Sequence, residues 1–185
     1  IGVDVSMNML RGANKYHEDE KLLFIQGDAV KLPLADAIFD NVFCLGGIHH
    51  VNNRIALFGE IERVLKPGGR FIWREPVDDF IIWRAIRTII YKLSPHLDDK
   101  TEQPLRYKST KKCLKKAGLK LDSWNTYGFF GFCFFMNSDV LVFNRIFKYI
   151  PKIRSIVRIF IKLDDIILNN NLMKKTGLLV IGIAI

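Results

Sequence analysis

The sequence predicts an α/β fold built on a mostly parallel sheet, and three observations predict it. The chain opens with a short apolar run that ends in an acid, Ile1 to Asp4. A helix-like pattern follows, and then Leu22 to Ile25, a continuous apolar run that leads to Asp28. A third run, Asn41 to Leu45, is followed by a second helix pattern. Strands covered on both faces read as unbroken apolar runs, and their alternation with helices marks a parallel sheet.

Asp4 stands where a strand hands over to a helix. In α/β nucleotide folds this is where a carboxylate accepts from both ribose hydroxyls. Asp4 and its neighbour Val5 are therefore cofactor-binding candidates. On this reading Asp4 ends the second strand of a Rossmann-like sheet, and the first strand is missing from this chain. Ser6 can cap the helix that follows, with Met9, Leu10 and Ala13 on one face. Residues 16–20 form a polar connector. After Leu22 to Ile25 comes Gln26-Gly27-Asp28-Ala29, where Gly27 permits a tight turn or a close backbone approach. Asp28 then lies at a carboxyl end of the sheet, where such folds bind ligands. Its competing role is to cap a turn. Residues 31–36 form a loop, because Pro33 stops any helix there. The end of the third run, Leu45-Gly46-Gly47-Ile48-His49-His50, is glycine-rich and loop-like.

Arg54 to Lys66 is predicted helical, with Phe58, Ile61 and Leu65 on one face. Lys66-Pro67-Gly68-Gly69 stops that helix and turns into a strand, FIWREP, that ends near Glu75. The paired glycines leave a helix instead of entering one, so they are turn residues and not a phosphate loop. Beyond Val77 the sequence predicts a helix over Asp79 to Leu93, a loop over Ser94 to Leu105 and a basic helix over Ser109 to Ala117 with Gly118 behind it. Strands are expected over Leu119 to Asn125 and Gly177 to Ile185. Between them lies an insertion, 127–176, with an aromatic cluster (FFGFCFF) and a helix from Pro151 to Leu168. The whole, 1–185, is expected to be a single domain, with 1–76 the cofactor-binding part and 77–185 the C-terminal part.

The ordered set IGVDVSMNML, FIQGDAVKLPLADAIFDNVFCLGGIHHV and EIERVLKPGGRFIWREP resembles the class I S-adenosylmethionine (SAM)-dependent methyltransferases. The resemblance is to the broad group that includes quinone- and small-molecule-modifying enzymes, and it covers Ile1 to Pro76. It implies SAM as cofactor. Asp28 would meet the adenine amino group, the Ala29 backbone would face the adenine ring, and Leu45 and Gly46 would line the methionine end. It also implies an antiparallel final strand, and a glycine-rich loop after the first strand that does not occur upstream of Asp4. The reaction implied is methyl transfer to a small organic acceptor, and the amphipathic pattern of Pro151 to Leu168 suits an apolar or lipid-like one. His49 and His50 lie beside the transfer site, where an imidazole can act as a base. They serve equally as loop residues that hydrogen-bond backbone. Glu75, at a strand end, is a candidate substrate contact.

Other readings stay open at this point. An acid-ended second strand also holds the ribose of NAD in oxidoreductases, and a chain without its first strand could be a non-catalytic fragment. No metal-ligand cluster, Walker loop or hydrolase triad is present, and Cys44 near the His pair does not suggest a thiolate nucleophile. The net charge is +9, unevenly spread. Residues 1–100 hold 13 Lys/Arg and 14 Asp/Glu, whereas residues 101–185 hold 15 and 5, a net of +10. The basic C-terminal half suits peripheral contact with an anionic membrane, and nucleic acid is not expected as a partner. Within the Pro151 to Leu168 helix, Arg154, Arg158 and Lys162 share a stripe beside a wide apolar arc. That pattern fits a membrane-surface cap or a helix packed on the domain. The odd number of cysteines, Cys44, Cys113 and Cys133, without metal spacing fits a cytoplasmic location. The longest apolar runs, Phe129 to Met136 and Gly177 to Ile185, are too short to span a bilayer.

Overall fold

The computed structural model describes residues 1–16, 21–93, 103–129 and 149–185. In chain order these form β1 (Gly2–Asp4), α1 (Met7–Tyr16), β2 (Phe24–Gln26), β3 (Phe39–Leu45), a 3-10 turn (Ile48–His50) and α2 (Arg54–Val64). Then follow β4 (Leu65–Pro76), α3 (Ile81–Leu93), α4 (Tyr107–Lys116), β5 (Leu121–Tyr127), α5 (Ile153–Leu168) and β6 (Leu179–Ala184). Residues 17–20, most of the Ser94 to Leu105 loop, and most of the aromatic cluster and insertion (130–148) lie outside the described residues.

The local chemistry of the first turn follows the sequence. Asp4 Oδ1 accepts from the Ser6 amide at 2.7 Å, and Ser6 Oγ accepts from the Met9 amide at 3.4 Å, so strand and helix are joined by an acid and a cap. Leu10 is buried on the inner face of α1. Asn53 caps α2 through its Oδ1 and the Ala56 amide, 3.1 Å apart. Phe58 and Ile61, on the face that the periodicity predicts, are buried on α2 with Leu57 and Val64, whereas the helix ends at Val64 and the predicted Leu65 is buried as the first residue of β4. The turn at Gly68 needs φ of +77°, a region open to glycine at little cost.

The strands are parallel except the last. β1 pairs with β2 in parallel, with Gly2, Val3 and Asp4 opposite Phe24, Ile25 and Gln26. The larger sheet has the order β3-β4-β6-β5: β3 and β4 are parallel, and β6 runs antiparallel to both β4 and β5. This is the Rossmann-like sheet with an antiparallel C-terminal strand. Among the described residues it comes in two pieces, because β1 pairs with β2 alone and β3 with β4 alone.

That split explains where burial departs from expectation. Leu22 and Leu23 precede β2 and are exposed. In β3, Val42 and Cys44 pack on the core, but Phe43 and Leu45 on the opposite face are 63% and 72% exposed. An apolar run marks a strand that could be covered on both faces, and here only one face is covered. The core lies between the larger sheet and α2 and α4, around Phe58, Ile61, Phe71, Trp73, Leu114 and Val180. Trp73 stacks on Phe71 and lies across from Gly182, where an added Cβ would come within 2.1 Å of the indole. A smaller cluster joins Trp83 of α3, Phe129 and Leu168 of α5.

Helix boundaries also shift for identifiable reasons. α4 begins at Tyr107, two residues before Ser109, because the Asp79 carboxylate accepts from the Tyr107 amide at 3.0 and 3.1 Å. A remote acid thus caps the helix ahead of the start that the local sequence predicts. α5 begins at Ile153, with Lys152 in the left-handed region at φ of 56°, so Pro151 lies before the helix instead of opening it.

Candidate functional site

The predicted cofactor contacts gather at two strand-end junctions. At the first, the Asp4 carbonyl accepts from the Gly27 amide at 3.1 Å and the Val5 carbonyl accepts from Gln26 Nε2 at 2.9 Å. These bonds lock the ends of β1 and β2 side by side. Gly27 has no room for a side chain, since an added Cβ would lie 2.8 Å from Pro33 Cδ and 3.1 Å from Val3 Cγ1. Asp28 closes the next turn: its Oδ1 accepts from the Val30 amide and its carbonyl from the Lys31 amide, both at 3.0 Å. The turn-capping role of Asp28 is thus present, and it uses one carboxylate oxygen. Asp4 likewise commits Oδ1 alone, so Oδ2 of each acid is unengaged among the described residues. Val5 is exposed beside them, while Ala29 packs against the main core.

The second junction lies at the ends of β3 and β4. Leu45 is exposed, and Gly46 turns the chain at φ of +71° with nothing near its Cα face. The Gly46 amide donates to the Arg74 carbonyl at 3.0 Å. Glu75 is fully buried beneath the loop. Its Oε1 accepts from the Gly47 and Ile48 amides at 2.8 and 2.9 Å, and its Oε2 accepts from the His49 amide at 3.4 Å and lies 2.6 Å from His49 Nδ1. Both oxygens of Glu75 are therefore turned into the loop and away from open space. The loop order follows from this one acid: three successive amides and one imidazole converge on it. His50 is exposed, with its ring centroid 4.0 Å from that of His49. Burial, and then the Glu75 charge, push the Cys44 thiol up to about 12, so at neutral pH it is a thiol and not a nucleophile.

Two further features were not readable as sites. Arg63 latches the loop after Asp28: its guanidinium donates to the carbonyls of Leu32 (3.0 Å) and Leu34 (2.8 Å), to Asp36 (2.5 Å) and to Glu60 (2.8 and 3.0 Å). Glu60 Oε2 accepts in turn from the Leu32 amide at 2.7 Å. The only signal in the sequence was the need of a proline-containing loop for partners. Beside the His49 loop lies a cleft of about 330 Å³ lined by Arg54, Asp78, Gln103, Pro104, Arg106 and Ser109. The Gln103 amide donates to the His49 carbonyl at 2.8 Å, and Arg54 donates to the Gln103 carbonyl, so cleft and loop share a wall. Among the described residues no cluster of His, Cys, Asp and Glu could hold a metal ion, and no helix is long and apolar enough to cross a membrane.

Acid-ended parallel strands, a glycine-cornered loop at the next strand end and an antiparallel closing strand give a Rossmann-like fold. Residues 1–73 match the family described as methyltransferase domain. The chain is 41% identical over 76 residues to a demethylmenaquinone methyltransferase of Staphylococcus saprophyticus, covering 40% of this chain and 33% of that one. It is 37% identical over 73 residues to the 27-O-demethylrifamycin SV methyltransferase of Amycolatopsis mediterranei, covering 37% and 27%. With a sterol 24-C-methyltransferase of Kluyveromyces lactis it shares 36% over 75 residues, 38% and 20% of the two chains. The chain thus spans a third or less of the length of these curated relatives. Among solved structures, a SAM-dependent methyltransferase of Thermotoga maritima superposes with a TM-score of 0.57 at 24% identity, covering 70% of this chain and 59% of that one. Another from Mesorhizobium loti gives 0.58 at 17%, covering 99% and 78%. At the first junction Asp4 and Asp28 each keep one carboxylate oxygen unengaged among the described residues, and Gly27 keeps the backbone close, an arrangement with room for hydroxyl and amino donors of the kind SAM carries.

Proposed function

We propose that this protein transfers a methyl group from SAM to a small organic acceptor of apolar or lipid-like character. The observation that carries the reading is the β1–β2 junction, where Asp4 is held by Ser6 and Gly27 and keeps one carboxylate oxygen for a ribose. Val5, Gly27, Asp28 and Ala29 complete that half of the cofactor site, and Leu45 and Gly46 supply the other. The bound sulfonium supplies a methyl group already activated for displacement, so the chain has to align the acceptor and exclude water. Glu75 takes the Nδ1 proton of His49 as its hydrogen-bond donor, which leaves Nε2 as the lone-pair nitrogen. That nitrogen is the candidate acceptor for a proton leaving a hydroxyl or amine. Glu75 acts through His49 and the loop and does not itself meet the substrate.

The relatives named for menaquinone, rifamycin and sterol chemistry match this chain over the same N-terminal stretch. Choice of acceptor therefore falls to residues 77–185, which carry the apolar helices and all of the cleft lining except Arg54. The same reading places the protein in the cytoplasm, in contact with an anionic membrane through its basic half. A second reading, a chain that keeps the fold without binding cofactor, is favoured by the split between β1 and β3.

Calorimetric titration of SAM and S-adenosylhomocysteine into the protein separates the two. Asp4→Ala removes bonds to a charged acceptor worth about 1.5–3 kcal/mol, so its affinity should fall roughly 10- to 150-fold. Equal affinity in wild type and Asp4→Ala overturns the site, and absence of binding in a cooperatively folded wild type establishes the second reading.

A further inference from the structure

We propose that the outer surface of α5 docks on an anionic lipid bilayer. At about 100° per residue, α5 carries three separate faces. Asp164 and Leu168 are buried and face the domain, where Asp164 Oδ2 accepts from the Phe129 amide at 3.0 Å. Val157, on the same face, is half-buried. Well away from them, Ile159, Leu163 and Ile166 share an arc of roughly 60° and are 60%, 45% and 70% exposed. Arg154, Arg158 and Lys162 form an adjoining stripe, all three exposed and none in an ion pair among the described residues. Asp165 is the one acid on that stripe. The wide apolar arc of the sequence is thus divided: part of it packs, and part lies in the open beside the positive charges.

Charge identifies the occupant. Residues 149–185 hold six Lys/Arg and two Asp/Glu, and Asp164 is buried away from the surface. An apolar stripe bordered by basic side chains matches the layering of an anionic bilayer, with acyl chains below and phosphates at the level of the Arg and Lys heads. Leu172, exposed just past the helix and close to Lys174 and Lys175, extends the same pattern. A protein partner of ordinary composition would have to supply a dense acidic rim around an apolar strip, whereas an anionic membrane supplies both everywhere. The proposal deepens the lipid-like acceptor reading and rests on it only for its purpose, since the surface is defined without the cofactor site.

The test is co-sedimentation of the protein with vesicles of phosphatidylcholine containing phosphatidylglycerol, and of phosphatidylcholine alone, at low and high salt. Binding is expected to the anionic vesicles at low salt, and to weaken with salt. The triple variant Arg154→Glu, Arg158→Glu, Lys162→Glu should bind at least roughly 100-fold more weakly. Ile159→Ser with Ile166→Ser should lose binding while the melting curve holds, because both residues are exposed; if that variant fails to fold, the charge variant decides. No binding of the wild type at low salt overturns the proposal, as does binding unchanged in the charge variant. So does a salt-independent dimer of the free protein that occupies the same face. S-adenosylhomocysteine titration of the same variants keeps the questions apart: loss of vesicle binding with intact titration removes only the membrane face, and the reverse removes only the cofactor site.

Discussion

Nδ1 of His49 lies 2.6 Å from Oε2 of Glu75, a carboxylate with no exposure to solvent that also receives the amides of Gly47, Ile48 and His49. One acid at the end of β4 thereby shapes the loop at the end of β3. A buried carboxylate is costly unless its lone pairs are filled, and here the fillers are the backbone of the loop it organises.

Removal of that acid should cost the fold as well as the site. Glu75→Ala leaves buried amides without acceptors, and each such group costs about 1–3 kcal/mol. We expect urea denaturation to show a loss of at least about 3 kcal/mol. Glu75→Gln keeps one oxygen for the amides but turns a donor toward His49. It should hold the fold better and shift His49 toward the other tautomer, which nitrogen-15 NMR of the imidazole reads directly. A Glu75→Ala protein as stable as wild type would show that the loop is shaped by something else.

The Arg63 latch makes a pH-dependent prediction. The hydrogen bond from Arg63 holds the Glu60 carboxyl below its ordinary value of 4.5. A depressed carboxyl stabilises the folded state above its unfolded pKa, and that contribution is lost as pH falls through the folded value. The wild type should therefore lose stability below about pH 4.5, with the loop over residues 31–37 opening first. Arg63→Met should flatten this acid dependence and raise amide exchange in that loop already at neutral pH. Equal exchange in the two proteins would mean that the loop does not depend on Arg63.

How much of this was legible in the sequence depends on the distance between partners. Asp4 and Ser6 are two residues apart, so the acid-ended strand and its capped helix could be read directly. The parallel runs, the Gly68 turn and the buried face of α2 were legible for the same local reason. The Glu75–His49 contact spans 26 residues and the Arg63–Leu32 contact 31, and neither leaves a local trace. Asp79, capping α4 from 28 residues away, moves the helix start ahead of Ser109, where the local sequence places it. The open face of β3 was hidden for another reason: an apolar run reports that a strand can be covered, not that its cover is present.

The break between β1 and β3 predicts two levels of stability in one chain. The β1–β2 pair consists of three-residue strands whose side chains are at most half-buried, and of α1 only Leu10 is fully inside. β4 and β6 instead bury Phe71, Trp73, Glu75, Val180 and Ala184, and β6 is paired on both edges. Local opening requires little surface exposure in the first piece and disruption of the main core in the second. Two-stranded sheets gain little independent stability, so the small piece depends on α1 and on the Pro33 loop that Arg63 holds against Gly27. Amide hydrogen exchange should show β1, β2 and α1 exchanging at least roughly 100-fold faster than β4 and β6. If SAM bridges Asp4 and the Gly46 loop as proposed, saturating SAM should narrow that gap, because it would bind only with both pieces in place. Uniform protection across both sheets without cofactor would show that the pieces already open as one unit.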